Sequence, residues 1–203
     1  MRITLAGVVG VGKSTISKML GKKHKYLVMD EPVEENPYLD QYYADPKGMA
    51  FKMQVYMIMA RSKQLKQAKI TSNIIFDRSI LEDPIFVDVL YELGYMNKTD
   101  YKVYKEFYVV VVLQSLYLDE NIKPELVVYL RVDPKIAMER INKRGRASEQ
   151  NIGSAYWTLL NQKYEEWYER SKDKFNFLVI DTNDKTPEEI VTIISDKLIN
   201  CGA

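Results

Sequence analysis

The chain has 203 residues, 46% hydrophobic and 28% charged, with 29 Lys+Arg against 28 Asp+Glu for a formal net charge of +1. This is the composition of a folded chain, and at roughly 150 residues per domain it fits a single domain over 1–203 and excludes disordered, collagen-like and disulfide-scaffold classes. The near-neutral balance excludes a global basic field for nucleic acid or an anionic membrane, while one cysteine, Cys201, and one histidine, His24, exclude an intrachain disulfide, a His/Cys metal cluster and a Ser/His/Asp triad.

At the start, Met1-Arg2 followed by the apolar Ile3 to Gly12 imitates a short signal peptide, but it runs into Gly12-Lys13-Ser14-Thr15 with no small-residue cleavage pattern. It reads better as a strand, Ile3–Ala6, and a loop. A helix over Lys13–Leu20, a strand over Tyr26–Met29, a helix over Ala50–Lys69 and a strand over Asn73–Phe76 follow. Next come helices over Pro84–Leu93 and Asp100–Leu118, a strand over Leu126–Val132, helices over Pro134–Arg144 and Ser154–Lys172, a strand over Phe177–Ile180 and a helix over Pro187–Ile199. This alternation predicts an α/β fold with a five-stranded parallel sheet flanked by helices, all five strands buried on both faces. No apolar run approaches the roughly 18 to 20 residues that span a bilayer.

The four valines within Tyr108–Leu113 favour a strand locally, but the segment between Gly94 and Pro124 is helix-length. Tyr101, Tyr104, Tyr108, Val111 and Ser115 recur on one helical face, and Thr99-Asp100 offers a cap, so the reading is helix.

Gly7-Val8-Val9-Gly10-Val11-Gly12-Lys13-Ser14 matches the phosphate-loop pattern G-x-x-x-x-G-K-[ST] between a strand and a helix, where the pattern has physical meaning. Gly7, Gly10 and Gly12 let backbone N–H groups curl around phosphate. Lys13 reaches its oxygens, Ser14 ligates Mg²⁺, and Thr15 continues into the helix whose dipole favours the anion. A nucleoside triphosphate such as ATP is the ligand this implies.

Three further places carry chemistry. Glu31, in Asp30-Glu31-Pro32-Val33 after the second strand, is placed to act as a base beside the phosphate loop; a solvated strand-end acid would look the same in sequence. Asp77 and Arg78, in Phe76-Asp77-Arg78-Ser79 after the third strand, offer a Mg²⁺ ligand and a phosphate-neutralising cation, or else a surface ion pair. Arg140, Arg144 and Arg146 close a helix before a polar loop; they form either an arginine-rich lid, about 140–151, or a complement to the helix dipole. Asp45-Pro46-Lys47-Gly48 and Asn97-Lys98-Thr99-Asp100 also fit the D-x-x-G and N-K-x-D patterns of GTP-binding switch proteins. Neither follows a buried strand, which argues against that reading.

Taken together these residues resemble the deoxyribonucleoside kinase family from Ile3 to about Asp184. The likeness lies in the phosphate loop, Glu31-Pro32-Val33, Tyr43-Ala44-Asp45-Pro46, Phe51-x-x-Gln54-x-Tyr56-x-x-x-x-Arg61, Asp77-Arg78-Ser79 with Asp83, and the lid ending in Glu149-Gln150. The resemblance implies a P-loop kinase that passes the γ-phosphate of ATP, with Mg²⁺, to the 5′-hydroxyl of a deoxynucleoside, deoxyadenosine being the favoured acceptor. It makes Glu31 the general base, steadied by Arg78. Tyr43 and Glu149 become the sugar 3′-hydroxyl contacts, and Gln54 and Asp83, the latter held by Arg61, the nucleobase contacts. It also implies a cytoplasmic homodimer through long helices, Ala50–Lys69 and Pro84–Leu93 being candidates, with no nucleic-acid or membrane partner. This chain has Asp77 where the family often has glutamate, so a shorter carboxylate must reach the metal. A thymidylate-like nucleoside monophosphate kinase shares the loop and the Asp-Arg, but would have to clamp an acceptor phosphate and would not need Glu31 as a base.

Overall fold

A computed structural model describes residues 1–33, 35–114, 119, 122–145 and 152–200. Strands β1 (Arg2–Ala6), β2 (Leu27–Met29), β3 (Ile74–Asp77), β4 (Leu126–Arg131) and β5 (Phe177–Asp181) form one parallel sheet in the order β2-β3-β1-β4-β5. The chain divides into two compact units, one comprising Met1–Asp30, Thr71–Ser79 and Pro124–Ala203, the other Glu31–Ile70 and Ile80–Lys123.

The first unit holds the whole sheet with helices α1 (Lys13–His24), α6 (Pro134–Arg144), α7 (Ser154–Ser171) and α8 (Pro187–Asn200). The central strands are almost wholly buried, and their β-branched runs suit that setting. The expectation of five doubly buried strands fails at β2 and β5. These are the two edges, with a neighbour on one side only, and Leu27 is left 42% exposed. Helix α1 also runs a turn past its expected end at Leu20, because Gly21 does not break it. A Cβ at Gly21 would lie 2.5 Å from Val28 Cγ2, so the missing side chain lets α1 approach β2. Since β1 is flanked by β3 and β4, the chain direction across the sheet reverses at β1, and the loop after it opens where parallel sheets place their ligands.

The second unit contains α2 (Leu39–Ala44), α3 (Pro46–Ala68), a 3₁₀ turn (Ile80–Glu82), α4 (Asp83–Glu92), α5 (Lys98–Phe107) and a π-helical turn (Tyr108–Leu113). Helix α2 was not expected as an element, and α3 begins four residues before Ala50. Asp45 caps α3 through Gly48 N–H (3.0 Å), with Pro46 in the first turn. Asn97 caps α5, accepting from Asp100 N–H at 2.9 Å, so the cap is not Thr99-Asp100. Both GTPase-like patterns are therefore helix starts.

Tyr104 and Tyr108 face the interior as expected, but Val111 is 49% exposed and Val112 is buried instead. The π-helical turn accounts for the change: it carries one more residue than an α turn, so the buried face slips by one position. Ser115, and the expected continuation to Leu118, lie outside the described residues, as does Cys201. No helix among the described residues is long and apolar enough to cross a membrane.

Candidate active site

In the first unit the chain turns out of β1 at Gly7 with φ +144 and passes Gly10 at φ +86. A Cβ at Gly7 would lie 2.6 Å from the Leu130 carbonyl oxygen, and one at Gly10 would lie 2.7 Å from that of Ala137, so both backbone angle and space demand glycine. Gly12 caps α1 with no side-chain hydrogen bond, which leaves the helix N-terminus to an anion. Lys13 is buried, and its Nζ donates to the Gly7 carbonyl at 2.8 Å and the Val8 carbonyl at 3.0 Å, curling the ammonium over the loop.

Ser14, in the first turn of α1, donates its hydroxyl hydrogen bond to Asp77 Oδ2 at the end of β3. Asp77 is 2% exposed, and its other oxygen, Oδ1, is buried with no hydrogen-bond partner. A hydroxyl oxygen beside a carboxylate with a spare buried acceptor is a donor set that suits a hard divalent cation completed by phosphate oxygens. Among the described residues no cluster of three or more His, Cys, Asp or Glu offers a metal site of another kind. The shorter acid at 77 therefore reaches Ser14.

Arg78 follows with φ +69, a left-handed backbone that is uncommon outside glycine and costs about 1 kcal/mol. Its N–H donates to Leu5 O at 3.1 Å. Its guanidinium is buried and donates to the Tyr164 hydroxyl on α7. Tyr164 did not emerge from the sequence, because Trp157, Leu160, Tyr164 and Trp167 recur at helical spacing and read simply as the buried face of α7.

A cavity of ≈ 200 Å³ opens beside the phosphate loop, lined by Val11, Gly12, Thr15, Arg140, Lys185 and Ile190 among others. Arg140 on α6 is fastened to the end of the sheet, its Nη2 donating to Thr182 O at 2.9 Å. Arg144 lies one turn further on, exposed, just before the left-handed Gly145 that ends the helix. Arg146 and Glu149, with the rest of the expected lid, lie outside the described residues.

In the second unit Arg61, on α3, is 3% exposed and holds two carboxylates. Its Nη2 donates to Glu31 Oε1 at 2.9 Å, and its Nη1 pairs with Asp83 Oδ1 at the start of α4. Asp83 is wholly buried, and Oδ2 accepts no hydrogen bond. The resemblance linked Arg61 to Asp83 only; its grip on Glu31 was not legible. Gln54, two turns before Arg61 on the same face, is 7% exposed, so the pair is no solvated stripe. Tyr43 on α2 is 39% exposed, its ring tilted against Tyr42. Tyr104, also missed as more than core, is buried with its hydroxyl lacking a hydrogen-bond partner; burial, then Tyr108, holds the phenol far above its usual range against the pull of Arg61.

A glycine loop closing on a buried lysine, with a serine–aspartate pair at the end of the neighbouring strand β3, defines a nucleoside-triphosphate-using protein of the P-loop kind. The profile of the family "Deoxynucleoside kinase" matches residues 3–200. Similar proteins include the deoxyadenosine/deoxycytidine kinase of Bacillus subtilis (strain 168), 35% identical over 167 residues covering 81% of this chain and 75% of the relative. The deoxyadenosine kinase of Lactobacillus acidophilus is 30% identical over 98% of this chain and 97% of its own. A solved structure of deoxyadenosine kinase from M. mycoides with bound dATP is 50% identical, with TM-score 0.88, covering 98% of this chain and 99% of that one. The chain belongs to the deoxynucleoside kinase family. It is accordingly an α/β kinase that phosphorylates deoxynucleosides at the expense of a nucleoside triphosphate.

Proposed function

We propose that this chain transfers the γ-phosphate of ATP to the 5′-hydroxyl of deoxyadenosine. The observation that carries the choice of acceptor is the trio in the second unit: one guanidinium, Arg61, is offset by two carboxylates, Glu31 and Asp83. That trio is net acidic. It would repel the phosphate of a nucleotide acceptor, which a monophosphate kinase must attract, and it suits a neutral nucleoside.

In the reaction Glu31 accepts the 5′-hydroxyl proton as that oxygen bonds to the γ-phosphorus and the bond to the departing ADP oxygen breaks. Lys13 and the loop N–H groups hold the donor phosphates, while Arg78, Arg140, Arg144 and Arg146 neutralise charge as it spreads in a loose transition state. Ser14 and Asp77 would hold Mg²⁺, which would supply further neutralisation of the transferring phosphate. The cavity lined by Arg140 and Lys185 receives the donor base. Tyr43 and Glu149 bind the sugar 3′-hydroxyl. Asp83 accepts from the adenine N6 amine, with Gln54 on the adjoining edge. The relatives' names are divided among deoxyadenosine, deoxycytidine and deoxyguanosine, and the likeness to a solved deoxyadenosine kinase at 50% identity supports deoxyadenosine.

The protein works as a cytoplasmic homodimer with no membrane or nucleic-acid partner. Support for self-association comes from Val55 and Met59 on α3 and Val103, Phe107 and Val110 around α5, all more than a third exposed. The aliphatic side chains of α4 inside Pro84–Leu93, namely Ile85, Val87, Val89 and Leu90, are buried within their own unit instead.

Purified protein given Mg-ATP and each of the four deoxynucleosides and their monophosphates tests the reading. Deoxyadenosine should give the fastest formation of a 5′-monophosphate. Phosphorylation of monophosphates alone would replace it with the thymidylate-like alternative, and tight guanine-nucleotide binding without turnover would favour a switch protein.

A further inference from the structure

The mechanism uses Glu31 as a base and Asp83 as a reader of the nucleobase, yet both carboxylates rest on one cation through different nitrogens of its guanidinium. Arg61 is almost wholly buried and Asp83 entirely so, while Glu31 keeps 29% of its side chain exposed. Burial matters because charges screened from water interact more strongly, so two acids held on one guanidinium also feel each other's negative charge. A proton on one acid, or a hydrogen bond donated to it, weakens its repulsion of the other acid and frees the guanidinium to move toward that other acid.

We infer that Arg61 is a positioning residue that ties the state of Asp83 to the readiness of Glu31 as a base. This rests on the reading of Glu31 proposed above. Asp83 Oδ2, buried and accepting nothing, is the atom at which a donated hydrogen bond enters the trio. An amine on the base that donates there draws on Asp83, relaxes its claim on Arg61, and tightens the hold of Nη2 on Glu31. A base that reads poorly at Asp83 thus leaves the proton acceptor less well held, so discrimination reaches turnover as well as binding.

Among the described residues, other titratable groups lie next to the trio in sequence or on helices α4 and α5. Asp30 precedes Glu31 in the chain, and Glu82 precedes Asp83 at the end of the 3₁₀ turn. On α5, Tyr104 lies near enough to Arg61 to feel its charge and stays protonated, and Asp88 on α4 is engaged by Tyr101 and Lys105.

The test is the acid limb of kcat/KM against pH, which reports the titration of the free enzyme's essential base. Removing a cation from beside a carboxylate raises its pKa by about 1 to 3 units. Arg61→Gln should therefore move the limb upward by about that much. The double variant Arg61→Gln with Asp83→Asn, which leaves no stranded charge and keeps the test open should the single variant fold poorly, should move it upward as well. Asp83→Asn alone should move it the other way, because Arg61 is then left to Glu31. A residue that only supports the fold would lower activity at every pH without moving the limb. An unmoved limb in the double variant, with Glu31→Gln still inactive, would overturn the coupling while sparing the base assignment. Near wild-type turnover in Glu31→Gln would instead overturn the assignment itself.

Discussion

The Arg78 guanidinium donates to the hydroxyl of Tyr164, a residue 86 positions away on α7, with both side chains buried in the sheet-bearing unit. Arg78 also lies 5.9 Å from the centre of that ring. Tyr164→Phe keeps the ring and deletes the hydroxyl. A hydrogen bond to a charged group contributes about 1.5 to 3 kcal/mol, so a melting temperature lower by roughly 4 to 10 °C is expected. The proposed role of Arg78 in steadying transferring phosphate adds a second expectation: kcat should fall several-fold while ATP binding, measured by calorimetry, stays near wild type. Loss of stability with intact turnover would confine Tyr164 to the core.

The Mg²⁺ site proposed at the Ser14–Asp77 contact is tested through metal dependence. Asp77→Asn retains size but loses the charge that a divalent cation requires, and Ser14→Ala removes the hydroxyl oxygen. Each should raise the Mg²⁺ concentration giving half-maximal rate by about ten-fold or more, read from magnesium titrations at saturating ATP. Unchanged titration curves in both would place the metal elsewhere.

Asp45 and Asn97 supply caps, not guanine contacts. Replacing either by alanine should cost about 1 kcal/mol, a fall of roughly 2 to 4 °C in thermal melts. The ratio of turnover with ATP to that with GTP should stay at its wild-type value. A selective change in use of GTP would return these two patterns to the nucleotide site.

Selection of the base is tested by changing Arg61 and Asp83 together, since removing the acid alone leaves the guanidinium in place, paired with Glu31 only. Thymine presents a carbonyl where adenine presents an amine, so its oxygen would face the carboxylate of Asp83. Arg61→Met with Asp83→Ala should lower the ratio of kcat/KM for deoxyadenosine over thymidine by about 10²-fold or more. A constant ratio would mean that the base is read by other residues.

Much of this protein is legible in its sequence because the signals are local. The loop from Gly7 to Ser14 declares itself through residue types that only a phosphate cradle needs in that order, and the interior strands β1, β3 and β4 announce their burial through short, mostly apolar runs. Edge position is not a local property, so the exposure of β2 and β5 could not be read from their residues. Nor is helix register once a turn widens: the period that correctly buries Tyr104 and Tyr108 points to Val111, one residue short of Val112. The least legible feature is sharing. Glu31, Arg61 and Asp83 are dispersed along the chain, and nothing in their spacing says that one guanidinium serves both acids.

The wide turn at Tyr108–Leu113 has a further meaning for how this chain tolerates change in length. Its residues 109 to 112 are identical valines, so deletion of any one of them yields the same polypeptide. A π turn can give up its extra residue by rewinding to an α turn. The place now filled by Val112 would then be taken by another valine, with the interior chemistry of the segment intact. Here the helix holds a spare residue at a point where repetition makes its loss indifferent, a form of redundancy carried in length and not in side chains.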